Sequence, residues 1–439
     1  MSHFSSKRLL QAQRVKLNNV KNKPALVSST GKGRVNFRLI NRRVYKPKQA
    51  VASAVVALIQ SWNLFDTLLP TIDDTEFGKS IAMSEDGTFI AVIAQDTPSQ
   101  PGTTSGKGSL HIFKLNNNGD DYDEVSTHYP TANNRRIGNV GVPSTISISD
   151  DGLTVIYSEM DMNTSTGSGI VLRKNTNNNQ FTQIHRFEGT NNDGGAVVAI
   201  SGNADRVAVS SHVPKDIQIF KLNAGTGLYA KEGQTISNAN ANVTEFGKSI
   251  AFNTDGSRLV VGTNNGFYIF GTIGAGGTWA SVQELLGNAG TSGFLFGRQV
   301  AISGNGECIV VSLPYENQGN INVYKKDAGV NTFTLDTTIN STYGGQTQQF
   351  GHTLDISKDG SKIIVGNSSY DTPNNNNGMI IVYKKDGNAY VVDDKIITGE
   401  AASEFFGKDV AISNNGMIIV GSSCDANSDK GFVRIFKLE

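Results

Sequence analysis

The sequence predicts an all-β protein: a seven-bladed β-propeller that is closed by an N-terminal outer strand and preceded by an extended basic arm. Three observations predict this fold. A Phe-Gly dipeptide recurs every 50 to 56 residues, a tight turn follows each copy at a constant offset, and the chain before the first copy holds a strand that the last copy lacks. Such a repeat is typical of propellers. We place the arm at 1–60 and the propeller at 61–439.

The Phe-Gly dipeptide marks the start of each repeat. The last three intervals are 50, 54 and 56 residues, and the first gap of 169 residues holds two degenerate copies, at 146–149 and 198–201. A short apolar strand follows each copy, and its near-continuous apolar character predicts burial on both faces. The five clear copies are Phe77-Gly78, Phe246-Gly247, Phe296-Gly297, Phe350-Gly351 and Phe406-Gly407.

A turn dipeptide separates the first and second strands of every repeat. Asp-Gly and Asn-Gly favour two-residue hairpins in which both central residues have positive φ, so we expect such hairpins here. Six of the seven copies contain glycine, and one contains alanine. The dipeptides are Asp86-Gly87, Asp151-Gly152, Asn203-Ala204, Asp255-Gly256, Asn305-Gly306, Asp359-Gly360 and Asn415-Gly416.

The third strand of each repeat alternates apolar and polar residues, and a more polar fourth strand begins with an aromatic residue. This rise in polarity is expected from the axis of a propeller to its rim. The seventh copy stops at Glu439, directly after its third strand, whereas 62–69 has the aromatic start of a fourth strand, at Trp62. We therefore expect 62–69 to complete the last blade and close the ring, which removes the open sheet edges that would otherwise favour aggregation. The other aromatic starts are Tyr122, Phe181, Tyr229, Trp279, Phe333 and Tyr390.

The Phe-Gly opening, a second strand similar to Ile-Val-Val-Gly and a third strand similar to Gly-x-Ile-x-Val-Tyr resemble the FG-GAP family, the repeats of integrin-α-type propellers. The resemblance covers 62–439 and implies a seven-bladed propeller. FG-GAP repeats often carry a calcium loop of the type Asp-x-Asp-x-Asp-Gly between the first two strands. The turns here, such as 84–87, are short and contain too few carboxylates to enclose a hard cation. We therefore expect neither a metal nor a cofactor.

Charge divides the chain into two parts. Residues 1–60 contain thirteen Lys or Arg and no Asp or Glu, which leaves 26 of the 39 basic residues and all 39 acidic residues in the rest. Basic and apolar residues alternate in the arm, as expected of an extended segment that adds to a sheet or fills a groove of another protein. The alternatives are a flexible basic tail and a nucleic-acid tether. The predicted partner-binding residues are Arg34, Phe37, Arg38, Leu39, Ile40, Arg42, Arg43 and Tyr45.

A basic residue follows Phe-Gly in five copies. Because first strands line the central channel of a propeller, these side chains are candidates for an anion-binding ring at one mouth. The alternative is that each cation pairs locally with a nearby carboxylate, such as Glu76, Glu245 or Glu404. The five ring residues are Lys79, Lys248, Arg298, His352 and Lys408.

Motifs for catalysis are weak in this sequence. Gly78-Lys79-Ser80 resembles the end of a phosphate-binding loop but lacks the glycine five residues earlier. Neither a nucleophile-elbow motif nor metal-ligand spacing of the six histidines is present. We therefore predict a non-enzymatic structural or interaction protein, a propeller platform that its arm anchors in a larger assembly. A virion shell is the first assembly to consider, on a compositional resemblance to predicted proteins of large DNA viruses.

Two alternatives stay open: a propeller enzyme, a hydrolase or lyase acting at the channel mouth, and a ligand-binding module of a cell surface. The first thirty residues lack the apolar run of a secretory signal, and the apolar stretch 51–59 is about half the length that crosses a bilayer. The two cysteines, Cys308 and Cys424, lie in different repeats and suit a reducing compartment. These features predict an intracellular or virion location and no membrane span.

Overall fold

The computed structural model describes residues 60–439 except 71–75, 96–106, 131, 133, 139–144, 189–196, 212–214, 239, 241–242, 274–276, 288–294, 317, 343–348 and 427–429. The described chain forms seven antiparallel sheets of four or five strands. Each sheet is one blade, so the predicted class, an all-β seven-bladed propeller, is confirmed. The predicted arm, 1–60, lies outside the described residues apart from its last residue.

The strands are numbered β1 to β31 in chain order. The strands of the four-stranded blades are given from the innermost outward, and those of the five-stranded blades 2, 3 and 6 are given in chain order. Blade 1 consists of β2 (Phe77–Met83), β3 (Phe89–Ala94), β4 (Ser109–Leu115) and β5 (Tyr122–His128). Blade 2 consists of β6 (Arg135–Ile137), β7 (Ile146–Ile148), β8 (Thr154–Asp161), β9 (Gly167–Lys174) and β10 (Phe181–Glu188). Blade 3 consists of β11 (Val197–Ile200), β12 (Arg206–Ser211), β13 (Asp216–Asn223), β14 (Leu228–Lys231) and β15 (Ile236–Ser237).

The remaining blades follow the same plan. Blade 4 consists of β16 (Ser249–Phe252), β17 (Arg258–Gly262), β18 (Gly266–Ile273) and β19 (Thr278–Leu286). Blade 5 consists of β20 (Val300–Ile302), β21 (Cys308–Leu313), β22 (Asn320–Lys326) and β23 (Phe333–Asn340). Blade 6 consists of β24 (Thr353–Ile356), β25 (Lys362–Asn367), β26 (Met379–Asp386), β27 (Ala389–Val392) and β28 (Ile397–Thr398). Blade 7 consists of β29 (Val410–Ile412), β30 (Ile418–Ser423), β31 (Phe432–Leu438) and β1 (Trp62–Leu68).

Blade 7 combines two distant parts of the chain. Strand β1 pairs antiparallel with β31, with Trp62 opposite Leu438 and Leu68 opposite Val433. Ser61 and Glu439 exchange two backbone hydrogen bonds, of 2.8 and 3.0 Å, just beyond this ladder. The outermost strand of the last blade therefore precedes the first blade in sequence.

The Phe-Gly dipeptide has a packing role at the start of the innermost strands. Phe77 and Phe350 are fully buried, and their rings meet third-strand aromatic residues edge to face, at 6.1 Å from Phe113 and 6.3 Å from Tyr383. The following glycines all have φ between 83° and 93°. A Cβ at Gly407 would lie 2.2 Å from a backbone oxygen of blade 6, so glycine is required for the close approach of neighbouring blades.

The turns between first and second strands differ from the predicted two-residue hairpins. Only the second residue of each dipeptide has positive φ, for example Gly87 at 73° and Ala204 at 56°. The Asp86 carboxylate stabilises its turn as an acceptor: Thr88 N donates to Oδ1 at 2.8 Å, and the Ser84 hydroxyl donates to the same oxygen at 2.9 Å. Asp and Asn recur here for these side-chain hydrogen bonds.

The apolar core lies between neighbouring blades. The second strands of blades 1, 5 and 7, β3, β21 and β30, are buried along their whole length. The predicted aromatic residue at the start of the outer strand is buried in blades 1, 2, 3, 4, 5 and 7, at 6% exposure or less, and half-buried in blade 6. Each blade thus presents apolar side chains to both neighbours, as a ring of stacked sheets requires.

Candidate active site in the central channel

The innermost strands of all seven blades surround a cavity of about 220 Å³. Because these strands run in the same direction, their first residues lie at one end of the channel and their turns lie at the other. We call these ends the Phe-Gly mouth and the turn mouth. Concave cavities of this kind are the usual location of small-molecule sites.

Backbone hydrogen bonds narrow the turn mouth. Seven of them, of 2.8 to 3.5 Å, link the turn of every blade to the turn of the next and return to the first, and we call this ring the turn belt. The Lys358 ammonium crosses the opening and lies 2.9 Å from a Glu85 carboxylate oxygen and 3.4 Å from Asp150 Oδ2. The donors of the belt are the backbone N–H groups of Glu85, Asp150, Asn203, Thr254, Asn305, Lys358 and Asn414.

Two carboxylates, Asp355 of β24 and Asp409 just before β29, lie within the channel. They hold backbone groups that the innermost strands leave unpaired at their free edge. Asp409 Oδ2 accepts from Ile81 N of blade 1 at 2.8 Å, and Asp355 Oδ2 accepts from Ile412 N of blade 7 at 3.0 Å. Each carboxylate is therefore fixed in position between two blades.

The equivalent positions in other blades show that a carboxylate is not needed for this packing. At the position of Asp409, Ser249 of blade 4 accepts from the next blade through its hydroxyl, 3.1 Å from Val300 N. At the position of Asp355, counted from the glycine or alanine of the turn, five blades have alanine and one has Ser147. The packing of neighbouring strands therefore does not explain why these two positions carry an ionisable group.

Both carboxyls titrate far above their ordinary range. Burial raises the pKa of Asp355 to about 6, against the backbone hydrogen bonds from Ile412 and Ile356 that favour the anion. Burial also raises the pKa of Asp409 to about 7, and the nearby Asp355 charge adds to this rise. Strongly shifted carboxyls in a cleft are candidates for proton transfer, and they are the residues that the sequence analysis missed.

The five predicted anion-ring residues lie at the Phe-Gly mouth, but three of them are neutralised locally. Lys79 lies 3.1 Å from a Glu76 oxygen, and Lys408 lies 3.0 Å from Asp425 Oδ2. Lys248 pairs in the same way with Glu245. The structure therefore places these three lysines in the local pairs that the alternative prediction described.

The other two ring residues form a different pair. Arg298 Nη2 lies 2.8 Å from His352 Nε2, and burial lowers the pKa of His352 to about 3, with further contributions from the charges of Arg298 and Lys408. The imidazole is therefore neutral at pH 7. This pair brings together adjacent blades, 5 and 6, at the edge of the channel.

A second polar chain lies in blade 1 and has the residue types of a nucleophile, a base and an acid. The Ser109 hydroxyl lies 2.8 Å from His111 Nε2, and His111 Nδ1 lies 2.7 Å from a Glu124 carboxylate oxygen. Ser109 and His111 are fully buried. A substrate cannot reach the hydroxyl in this conformation, so the chain serves to satisfy buried polar groups.

Within the described ranges, no group of three or more His, Cys, Asp or Glu is arranged to hold a metal ion. No helix in the described part of the chain is long and apolar enough to cross a membrane. Both cysteines are buried and free. The predicted partner-binding residues 34–45 lie outside the described residues, and their binding to a protein stays a prediction.

Comparisons with solved structures identify the same fold elsewhere. The β-propeller domain of Swd1 from Myceliophteria thermophila is 10% identical, with a TM-score of 0.57 over 86% of this chain and 100% of that chain. A protein from Bacteroides uniformis described as a 6-phosphogluconolactonase is 12% identical, with a TM-score of 0.51 over 77% and 88%. The periplasmic gluconolactonase of Pseudomonas aeruginosa is 12% identical, with a TM-score of 0.51 over 74% and 86%.

These comparisons correct the functional prediction. At 10 to 12% identity, the likenesses establish the shared fold. Two of the three structures bear lactonase names, which goes against the prediction of a non-enzymatic structural protein and agrees better with its alternative, a propeller hydrolase. No family model and no curated protein matches the chain, so the FG-GAP resemblance and the virion assignment gain no support.

Proposed function

We propose that the protein is a hydrolase of small esters or lactones that acts in the central channel. The observation that carries the proposal is the pair of carboxyls inside the cavity, Asp409 with a pKa of about 7 and Asp355 with a pKa of about 6. Asp409 has a pKa close to neutral pH, so it is ionised in about half of the molecules near pH 7 and can act as a general base and, once protonated, as a general acid. The Asp355 charge contributes to this raised pKa. The lactonase names of two fold neighbours suggest the substrates to try first.

The chemistry follows from these two protonation states. Ionised Asp409 takes a proton from a water molecule while the water oxygen attacks the ester carbonyl, which forms a tetrahedral intermediate. The C–O bond to the leaving alcohol then breaks, and the protonated Asp409 carboxyl gives the proton that it took from water to the alcohol oxygen. The products are one carboxylic acid and one alcohol group, which remain in the same molecule when the substrate is a lactone. The turn belt narrows the far end, so substrates enter through the Phe-Gly mouth.

The test is hydrolysis of gluconolactone and its 6-phosphate by the full chain. The measured quantity is the rate of acid release in excess of the spontaneous rate. We expect Asp409→Asn to lower kcat/KM at least 100-fold, because general base catalysis contributes about 10² to 10⁴. The wild-type rate should rise with pH through about 7, since the base must be ionised. The control is Asp386→Asn, which changes an exposed carboxyl at the end of β26 and should leave the rate unchanged.

Two outcomes contradict the proposal. One is a hydrolysis rate for both lactones that is the same with wild-type protein as in buffer alone. The other is an Asp409→Asn variant that is folded, as judged by circular dichroism, and as active as the control.

A further inference from the structure

The charged side chains that line the central channel are mostly acidic. Among the described residues, the cavity of about 220 Å³ is lined by three carboxyl groups and one ammonium group. The rest of the lining consists of apolar side chains, glycines and a few neutral polar side chains. When the three carboxyls are ionised, the wall therefore carries an excess of negative charge. The four charged residues are Asp150, Asp355, Lys358 and Asp409.

The ammonium group in this lining is already compensated at the turn mouth. Lys358 lies 2.9 Å from a Glu85 oxygen and 3.4 Å from Asp150 Oδ2, so one positive charge contacts two carboxylates. The neighbouring turns leave room for these side chains. A Cβ at Gly304 would lie 2.2 Å from Lys358 Cγ, and a Cβ at Gly202 would lie 2.4 Å from Asp150 Oδ2. Neither glycine has positive φ, so the lack of a side chain serves this packing, which holds Lys358 against carboxylates.

The cations at the Phe-Gly mouth do not offset the charge of the channel wall. Lys79, Lys248 and Lys408 each pair with a carboxylate nearby in the sequence. The described lining of the cavity includes neither Arg298 nor His352. An anionic group that leaves water for this channel therefore meets like charge, and in the described lining it meets only one cation, which is already paired. Both effects oppose its binding.

We propose that the channel selects a small lactone or ester that carries no negative charge, and that a phosphate or carboxylate group on the molecule opposes binding. At an effective dielectric constant near 20, one like charge within about 10 Å weakens binding on the order of tenfold. An uncharged molecule avoids this repulsion and can still form hydrogen bonds with the polar groups of the wall. That the selected molecule is hydrolysed rests on the proposed function, whereas the charge selection is a property of the cavity.

The test measures binding without turnover, using two lactams of the same size. A lactam has N–H in place of the ring oxygen of a lactone and resists hydrolysis. The lactam of gluconic acid is prepared with either a carboxylate or a carboxamide at C6, and these two groups differ by one charge. Calorimetric titration of wild type at pH 8 and low ionic strength should show at least about tenfold tighter binding of the carboxamide, because Asp355 and Asp409 are largely ionised.

The preference for the carboxamide should depend on pH and on the charge of the wall. At pH 5 Asp355 and Asp409 are mostly protonated, so the preference should fall at least about threefold. Asp150→Asn removes one negative charge from the lining and should reduce the preference at pH 8 by at least about threefold. The matched control is Asp386→Asn, which makes the same change at an exposed carboxyl at the end of β26 and should retain the preference of wild type.

Four results overturn the proposal. They are equal affinities of wild type for the two lactams, tighter binding of the carboxylate, binding of neither lactam, and equal loss of the preference in Asp150→Asn and Asp386→Asn. The last result would show that the charge of the whole protein, not the channel wall, decides binding. If Asp150→Asn does not fold, the pH dependence of wild type decides, and a preference that is the same at pH 5 and pH 8 contradicts the proposal.

This inference and the proposed function fail separately. A preference for the carboxamide lactam, with no lactone hydrolysed, retains the charge selection and removes the hydrolase. Hydrolysis that depends on Asp409, with equal affinities for the two lactams and equal rates on neutral and phosphorylated lactones, retains the hydrolase and removes the charge selection.

Discussion

Ala204 is the single departure from glycine among the seven turns, and it adopts φ of 56°. A left-handed conformation costs a residue with a Cβ about 1 kcal/mol relative to glycine. We therefore expect Ala204→Gly to raise the free energy of unfolding by about 0.5 to 1 kcal/mol, with part of the gain offset by the larger entropy of glycine in the unfolded chain.

The matched control for Ala204 is the reverse change in the neighbouring blade. Gly152 has φ of 69°, and a Cβ there would lie 2.4 Å from the Phe89 ring. Gly152→Ala should therefore lower the free energy of unfolding by at least about 1 kcal/mol. Urea unfolding curves measure both values. Equal midpoints for wild type and the two variants would show that the left-handed turn position has no energetic significance.

Asp355 and Asp409 also make the stability depend on pH. The unfolded chain loses these protons near pH 3.8, whereas the folded chain retains them up to about pH 6 and 7. Between those values the folded state binds more protons, so stability falls as pH rises through this window. Urea unfolding at pH 4.5 and 7.5 should show a smaller fall for Asp409→Asn than for wild type, by on the order of 1 to 3 kcal/mol. Asp386→Asn should behave as wild type, and an equal fall in all three proteins would contradict the raised pKa.

Among the elements, β1 has the most distinct energetic role because it completes blade 7 from outside the repeat. Trp62 is 1% exposed and packs with Ile364 and Val382 of blade 6 and with Leu438 of blade 7. Trp62→Ala should lower the free energy of unfolding by about 3 to 5 kcal/mol through the cavity that it leaves. The control is Asn63→Ala in the same strand, which is exposed and should change stability by less than about 0.5 kcal/mol. Closely similar urea midpoints for wild type and Trp62→Ala would mean that Trp62 of β1 does not contribute to the stability of the propeller.

The elements could be predicted from the sequence because their signals repeat. Phenylalanine, glycine and the turn residues recur for the same packing reason in most blades. The copies therefore support the same assignment of strands and turns. The candidate site could not be predicted in this way because it depends on departures from the repeat. Asp355 stands where five blades have alanine, and Asp409 stands where blade 4 has Ser249. Only the three-dimensional arrangement shows that such residues, which are far apart in the sequence, face the same channel.

For the whole molecule, the turn belt implies an unusual pattern of amide hydrogen exchange. Surface turns normally exchange quickly because they open locally. Here each turn is bonded to the turns on both sides, so releasing one amide requires neighbouring blades to separate. The seven belt amides should exchange slowly and at similar rates, whereas the amide of the exposed hairpin residue Gly119, which bonds only within its own turn, should exchange rapidly. The most persistent protons of this propeller would then lie in its turns rather than only in its strands.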